Sequence, residues 1–121
     1  MGPLNSLEHA VMKKLLDRNS EPFVALKNQY QALKVKSRKL TGVGFFTYFS
    51  MSDDVPPLPD ASSFHIGDVG AYLNDHALEV GFVLFIREGR IRELEGYTYE
   101  EPWPKEVTSF ELFYDGTSDR K

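Results

Sequence analysis

Carboxylates are the commonest reactive groups in this sequence, 18 of them against three histidines and no cysteine, so spacing must decide whether any pair does chemistry. Glu93 and Glu95 lie two apart in a run of period two, which puts both on one strand face about 7 Å apart. That separation falls in the range of an inverting glycosidase pair. A glycosidase also needs a long substrate cleft, for which 121 residues leave little room, and a strand face turned to water accounts for the same spacing. His65 and Asp68, three apart, point to opposite faces of a strand. His76 sits beside Asp75 and Glu79 in a turn, and His9 falls on the side of a first helix. None of these makes the ligand set that a metal requires. Gly42-Val43-Gly44 lacks the third glycine and the Lys-Ser/Thr of a phosphate cradle, so backbone geometry explains it. No G-x-S-x-G elbow presents a nucleophilic serine. The lack of cysteine excludes disulfides, thiolate metal sites and a thiol nucleophile. No catalytic residue, metal or cofactor is therefore assigned, and the chain reads as a binding protein rather than an enzyme.

Two segments carry recognition chemistry instead. In Leu94 to Pro104, the rings of Tyr97, Tyr99 and Trp103 stand among Glu95, Glu100 and Glu101. Rings supply rigid contact area and acids supply steering, a mixture suited to a cationic protein surface. In the alternative reading Trp103, between two prolines, plugs one end of the core while the tyrosines pack on the sheet, and the two readings can coexist. A small-molecule-binding protein or a small enzyme with a pocket near Tyr97 and Tyr99 is a further alternative. The second segment holds Lys34, Lys36, Arg38 and Lys39, with Phe45, Phe46 and Tyr48 close behind. Clustered cations and stacking rings are what nucleic acid needs. Phe45 and Phe46 point to opposite faces, however, and the chain as a whole carries a net charge of −4, so nucleic acid ranks behind a protein partner. The charge is uneven: residues 1–50 hold eight Lys/Arg against three acids, and residues 51–121 hold six against fifteen. The C-terminal half is the acidic one, and a basic partner is the one it would attract.

The elements that must position these residues follow from periodicity. Asn5 with Glu8 forms a capping pair that starts a helix over about 6–18, with Leu4, Leu7, Val11, Met12, Leu15 and Leu16 on its apolar face. Ser20-Glu21-Pro22 starts a second helix, whose buried stripe is Phe23, Leu26, Tyr30 and Leu33. From Lys34 the period becomes two. The Lys-rich run 34–40 suits a sheet edge, and Val43 to Met51 reads as a covered strand. The proline-bearing stretch Ser52 to Ser63 is a loop. Phe64 to Leu73, Leu78 to Ile86 (central) and Ile91 to Tyr99 are strands, the last two joined by a tight Glu88-Gly89 turn. After the bend at Pro102-Trp103-Pro104 comes a last strand, Thr108 to Tyr114, and a polar tail from about 115 that should fray. The fold class is α+β: a single domain with two N-terminal helices packed on one face of a mainly antiparallel sheet of five or six strands. Val11, Leu15, Phe23, Leu26, Phe45, Val80, Phe82, Leu84 and Phe110 are the expected interior. Unpaired first and last strands would allow a homodimer. No apolar run is long enough to span a membrane and the start does not read as a secretory signal, so cytoplasmic residence is expected.

The string LEGYTYEEPWP, preceded by GVGFFTYF and GFVLFIREGRI, resembles a group of small bacterial proteins over roughly residues 34 to 104. That resemblance implies no catalytic residues. In size, charge and style the chain is also similar to the immunity proteins of bacterial toxin systems, an analogy that implies toxin neutralisation by protein binding.

Overall fold

The computed structural model describes residues 4–115. The polar tail expected from about 115 lies, beyond Asp115, outside the described residues. Helix α1 spans Ser6–Leu15 and is closed at its start by a reciprocal cap. The Glu8 N–H donates to the Asn5 side chain at 2.8 Å, and the Asn5 N–H donates to the Glu8 carboxylate at 2.9 Å. The helix stops three residues short of the expected 18. Leu16 remains buried as its C-cap, so the whole apolar stripe is still used. Helix α2 spans Phe23–Gln31 with Pro22 at its N-cap.

Six strands follow: β1 Lys34–Leu40, β2 Gly44–Ser50, β3 Phe64–Leu73, β4 Leu78–Arg87, β5 Arg90–Thr98 and β6 Phe110–Tyr114. They form one sheet in the order β1-β2-β5-β4-β3-β6, antiparallel at every pairing. The fold is α+β, with its edges at the Lys-rich β1 and the short β6. The β4–β5 turn places Glu88 at φ 51° and Gly89 at φ 79°, the two left-handed residues that a tight hairpin matching sheet twist requires.

The core lies on one face of the sheet. Alternate β4 residues Val80, Phe82, Leu84 and Ile86 pack in one apolar cluster with Leu7, Val11, Met12, Leu15 and Leu26 of the helices. Ile91 and Leu94 both join this cluster although three apart. A register shift in the β4–β5 pairing makes that possible by adding a residue to the strand. A second shift between Val35 and Ser37 brings Val35, Arg38 and Leu40 to the same side, opposite Phe49, Thr47 and Phe45.

Two interior features depart from the sequence reading. Phe110, expected inside, is 36% exposed. It sits on β6, which has β3 as its only strand neighbour, so alternation there does not bring cover. Leu58, within the expected loop, is buried. Its N–H donates to the Gly89 carbonyl at 2.8 Å, pinning the proline-rich segment across the hairpin end.

Candidate functional site

The strand pairings define the second sheet face, where no helix packs, as a set of cross-strand rows. The first row runs Lys39, Phe46, Glu95 and Val83; the next, Ser37, Tyr48, Glu93, Phe85 and His65. A third runs Gly44, Tyr97, Gly81, Gly70 and Phe113. Beyond it come Glu79, Tyr72 and Glu111. Val83 is fully buried and Glu95 only 6% exposed, so neighbouring side chains close over the middle of this face. Glu95 shares a strand face with Glu93, as its spacing suggested, but it is not turned to water there. A period of two sets the face, and the bulk of the neighbours decides the burial.

Two glycines of the third row, Gly81 and Gly70, are beds for rings. A Cβ on Gly81 would stand 2.6 Å from the Tyr97 ring, and one on Gly70 would stand 2.7 Å from the Phe113 ring. Both rings therefore lie down across the neighbouring strand. Tyr72 stacks on His76 with centroids 4.6 Å apart and meets Phe113 at 4.9 Å. Tyr99, half exposed, meets Tyr97 edge-on at 5.7 Å. Because Thr98 pairs with Val80 and Tyr72 with both Glu79 and Glu111, this end of the sheet gathers Glu79 and Glu111 with Tyr72, Tyr97 and Phe113. Glu100 and Glu101 follow β5 at the same end and are exposed. Arg87 and Arg90 lie at the opposite end, where Arg87 donates to Glu93 at 3.2 Å and Arg90 to the Ser52 carbonyl at 3.4 Å.

Trp103 leaves this group. Its N–H donates to the Gly42 carbonyl at 2.9 Å, which turns the chain past the β1–β2 hairpin. Its ring meets Phe45 edge-on at 5.1 Å, packed against the core. Of the six residues read as one recognition segment, Glu95 and Tyr97 lie on the helix-free face, Tyr99, Glu100 and Glu101 lie at its end, and Trp103 lies on the other side.

The basic segment divides as well. Lys34 and Lys39 lie on the helix-free face, Lys36 is exposed at the bulge, and Arg38 faces the helices. There the Arg38 guanidinium donates to both oxygens of Glu8, at 2.7 and 3.3 Å. Thr47 donates its hydroxyl to the same carboxylate. Burial alone would raise the Glu8 carboxyl, but the hydrogen bonds from Arg38, Thr47 and Asn5 and the Arg38 charge together hold it below its ordinary value. Sequence reading missed Glu8 as anything beyond a cap. The available signal was its place three and four residues before Val11 and Met12, on the buried side of α1.

Arg38, Trp103 and Phe45 line one cleft of about 670 Å³ between the start of α1, the β1–β2 hairpin and the chain after β5. Among the described residues no three His, Asp or Glu side chains converge as a metal-binding group would. No helix of the described residues is long and apolar enough to cross a membrane. The architecture is that of an α+β protein with one sheet face left to rings and carboxylates. No protein-family model matches the chain, and no curated protein or solved structure is significantly similar to it.

Proposed function

We propose that this protein is a binding module whose helix-free sheet face, at the end carrying Tyr72, Tyr97 and Tyr99, engages a basic protein partner. The observation that supports this reading is that the carboxylates Glu79, Glu111 (3.2 Å from the His76 imidazole), Glu100 and Glu101 share one end of the sheet with the Tyr97 and Phe113 rings laid over glycines. Flat rings give contact area at little entropic cost, and the acids steer a cationic surface toward them. Flat rings would also stack on bases, but carboxylates at the same end repel phosphates and the lysines lie at the far edge, on β1. Toxin neutralisation is one form of this reading, on the analogy of size and charge.

The test compares capture from the native lysate by the wild type and by Glu79→Lys/Glu111→Lys, at low and high salt, with hydrogen exchange on the complex. Both positions are exposed, so the variant should fold. A basic protein held at low salt, lost in the variant and protecting the Tyr72 and Tyr97 strands supports the reading. Equal capture by the variant, or protection confined to β1, overturns it.

A further inference from the structure

The cleft on the helix side is a different site, and its chemistry points to a different kind of ligand. Its volume of about 670 Å³ lies within the usual range for small-molecule sites. Phe45, Trp103 and Val107 form apolar walls, and the sheet curls enough that Leu40 of β1 and Phe110 of β6 line the same space. Leu40 is 79% exposed, so this apolar surface is not consumed by the core.

The polar lining of the cleft includes Asn5, Ser6 and the Glu8–Arg38 pair, and the two partners of that pair are unequally covered. The Glu8 side chain is 1% exposed, sealed under its donors, whereas that of Arg38 keeps 23% of its surface open. What the pair shows to the cleft is therefore its cationic half. Lys105 also lines the cleft, together with Glu106. A guanidinium is planar and always charged, and its fork of donors matches the geometry of a carboxylate head. We propose that this cleft binds a small monoanionic amphiphile, with a carboxylate head at Arg38 and an apolar body between Trp103 and Leu40.

Trp103 is the only tryptophan in the chain, so its fluorescence reports on this wall alone. The experiment titrates the protein with octanoate and, as the uncharged control of equal chain length, octan-1-ol. The expected result is a saturable change in Trp103 emission with octanoate, and binding of octan-1-ol weaker by at least about tenfold, the scale of one charged hydrogen bond. Leu40→Glu, at an exposed position, should weaken octanoate by at least about tenfold through lost apolar contact and charge repulsion. Replacing the pair together, Glu8→Gln/Arg38→Gln, avoids an orphaned buried charge and should leave octanoate no tighter than octan-1-ol. No response to octanoate, an equal response to octan-1-ol in the wild type, or a response unaltered by Leu40→Glu overturns the proposal.

Discussion

The Arg38 guanidinium of edge strand β1 grips both carboxylate oxygens of Glu8 on α1, at 2.7 and 3.3 Å, across thirty residues of sequence. The pair ties the outermost strand to the first helix from inside the fold. Arg38→Ala leaves the Glu8 carboxylate buried and short of its main partner, and a loss of about 3–5 kcal/mol is expected. Urea denaturation measures it. Glu8→Gln/Arg38→Gln should lose less than Arg38→Ala, because no orphaned charge remains.

The same pair sets an acid response. Folding lowers the Glu8 carboxyl from its ordinary value of about 4.3. A lowered carboxyl contributes stability that is complete above the unfolded value and disappears as pH falls through the folded one. Below about pH 4, wild-type stability should therefore drop more steeply than that of Glu8→Gln, which carries no proton at this site. Melting curves taken from neutral pH down to acid, for both proteins, would show parallel slopes if the pair had no such role.

Gln29 is a second buried polar residue whose loss should be costly. Its amide nitrogen donates to the Gly89 carbonyl at 2.9 Å, and its oxygen accepts from the Ile91 N–H at 3.0 Å. One side chain of helix α2 thus holds the backbone on either side of Arg90, where β5 leaves the turn. Gln29→Leu keeps the volume but leaves the Ile91 N–H without its acceptor and the Gly89 carbonyl with the Leu58 N–H as its remaining donor, so a loss of about 1–3 kcal/mol is expected from the orphaned donor. A fall in the denaturation midpoint is expected, with hydrogen exchange faster at Ile91 than elsewhere in β5.

Glu8 and Gln29 also show which parts of the fold were legible in the sequence. The Asn5–Glu8 cap and the Glu88-Gly89 turn are local chemistry, and both stand where the residues placed them. Strand β3 runs Phe64–Leu73 as expected, because loop and turn residues bound it on both sides. Partners far away in sequence left no such signal. Arg38 was grouped with its lysine neighbours because a strict period of two hides the bulge between Val35 and Ser37. Gln29 looked like an ordinary polar helix position, since its partners lie 27 to 62 residues on. Phe110 alternates correctly, yet alternation says nothing about whether an edge strand is covered. The run from Glu95 to Trp103 read as one surface, and it divides because the Gly42 carbonyl captures Trp103.

Charge reversal should separate the two ends of the helix-free face. Glu100→Lys/Glu101→Lys and Glu79→Lys/Glu111→Lys alter the same acidic end, so each should slow association with a basic partner, with the effect fading at high salt. Arg87→Glu alters the opposite end and should leave the association rate within about twofold of wild type, or faster. Stopped-flow association at two salt concentrations distinguishes these cases. Equal slowing by all three variants would mean that the acidic end has no special part in steering.

Gly44 and Gly81, both paired with Tyr97, give the sharpest contrast between stability and binding. A Cβ on Gly44 would sit 1.9 Å from the Gly96 carbonyl oxygen, a backbone atom that cannot move without opening the β2–β5 pairing. Gly44→Ala should therefore destabilise by about 3 kcal/mol or more, at the upper end of overpacking costs. A Cβ on Gly81 meets the far end of the Tyr97 side chain at 2.6 Å, and that ring can swing outward. Gly81→Ala should cost no more than about 1 kcal/mol, helped by the lower backbone freedom of the unfolded chain. It should nevertheless weaken partner binding, because the Tyr97 ring no longer lies flat on the sheet. In Gly81→Ala/Tyr97→Ala the stability cost of the new methyl group should vanish while binding stays weak, a coupling that a double-mutant cycle reads directly. If Gly81→Ala bound the partner as tightly as wild type, a flat Tyr97 would not be part of the recognition surface.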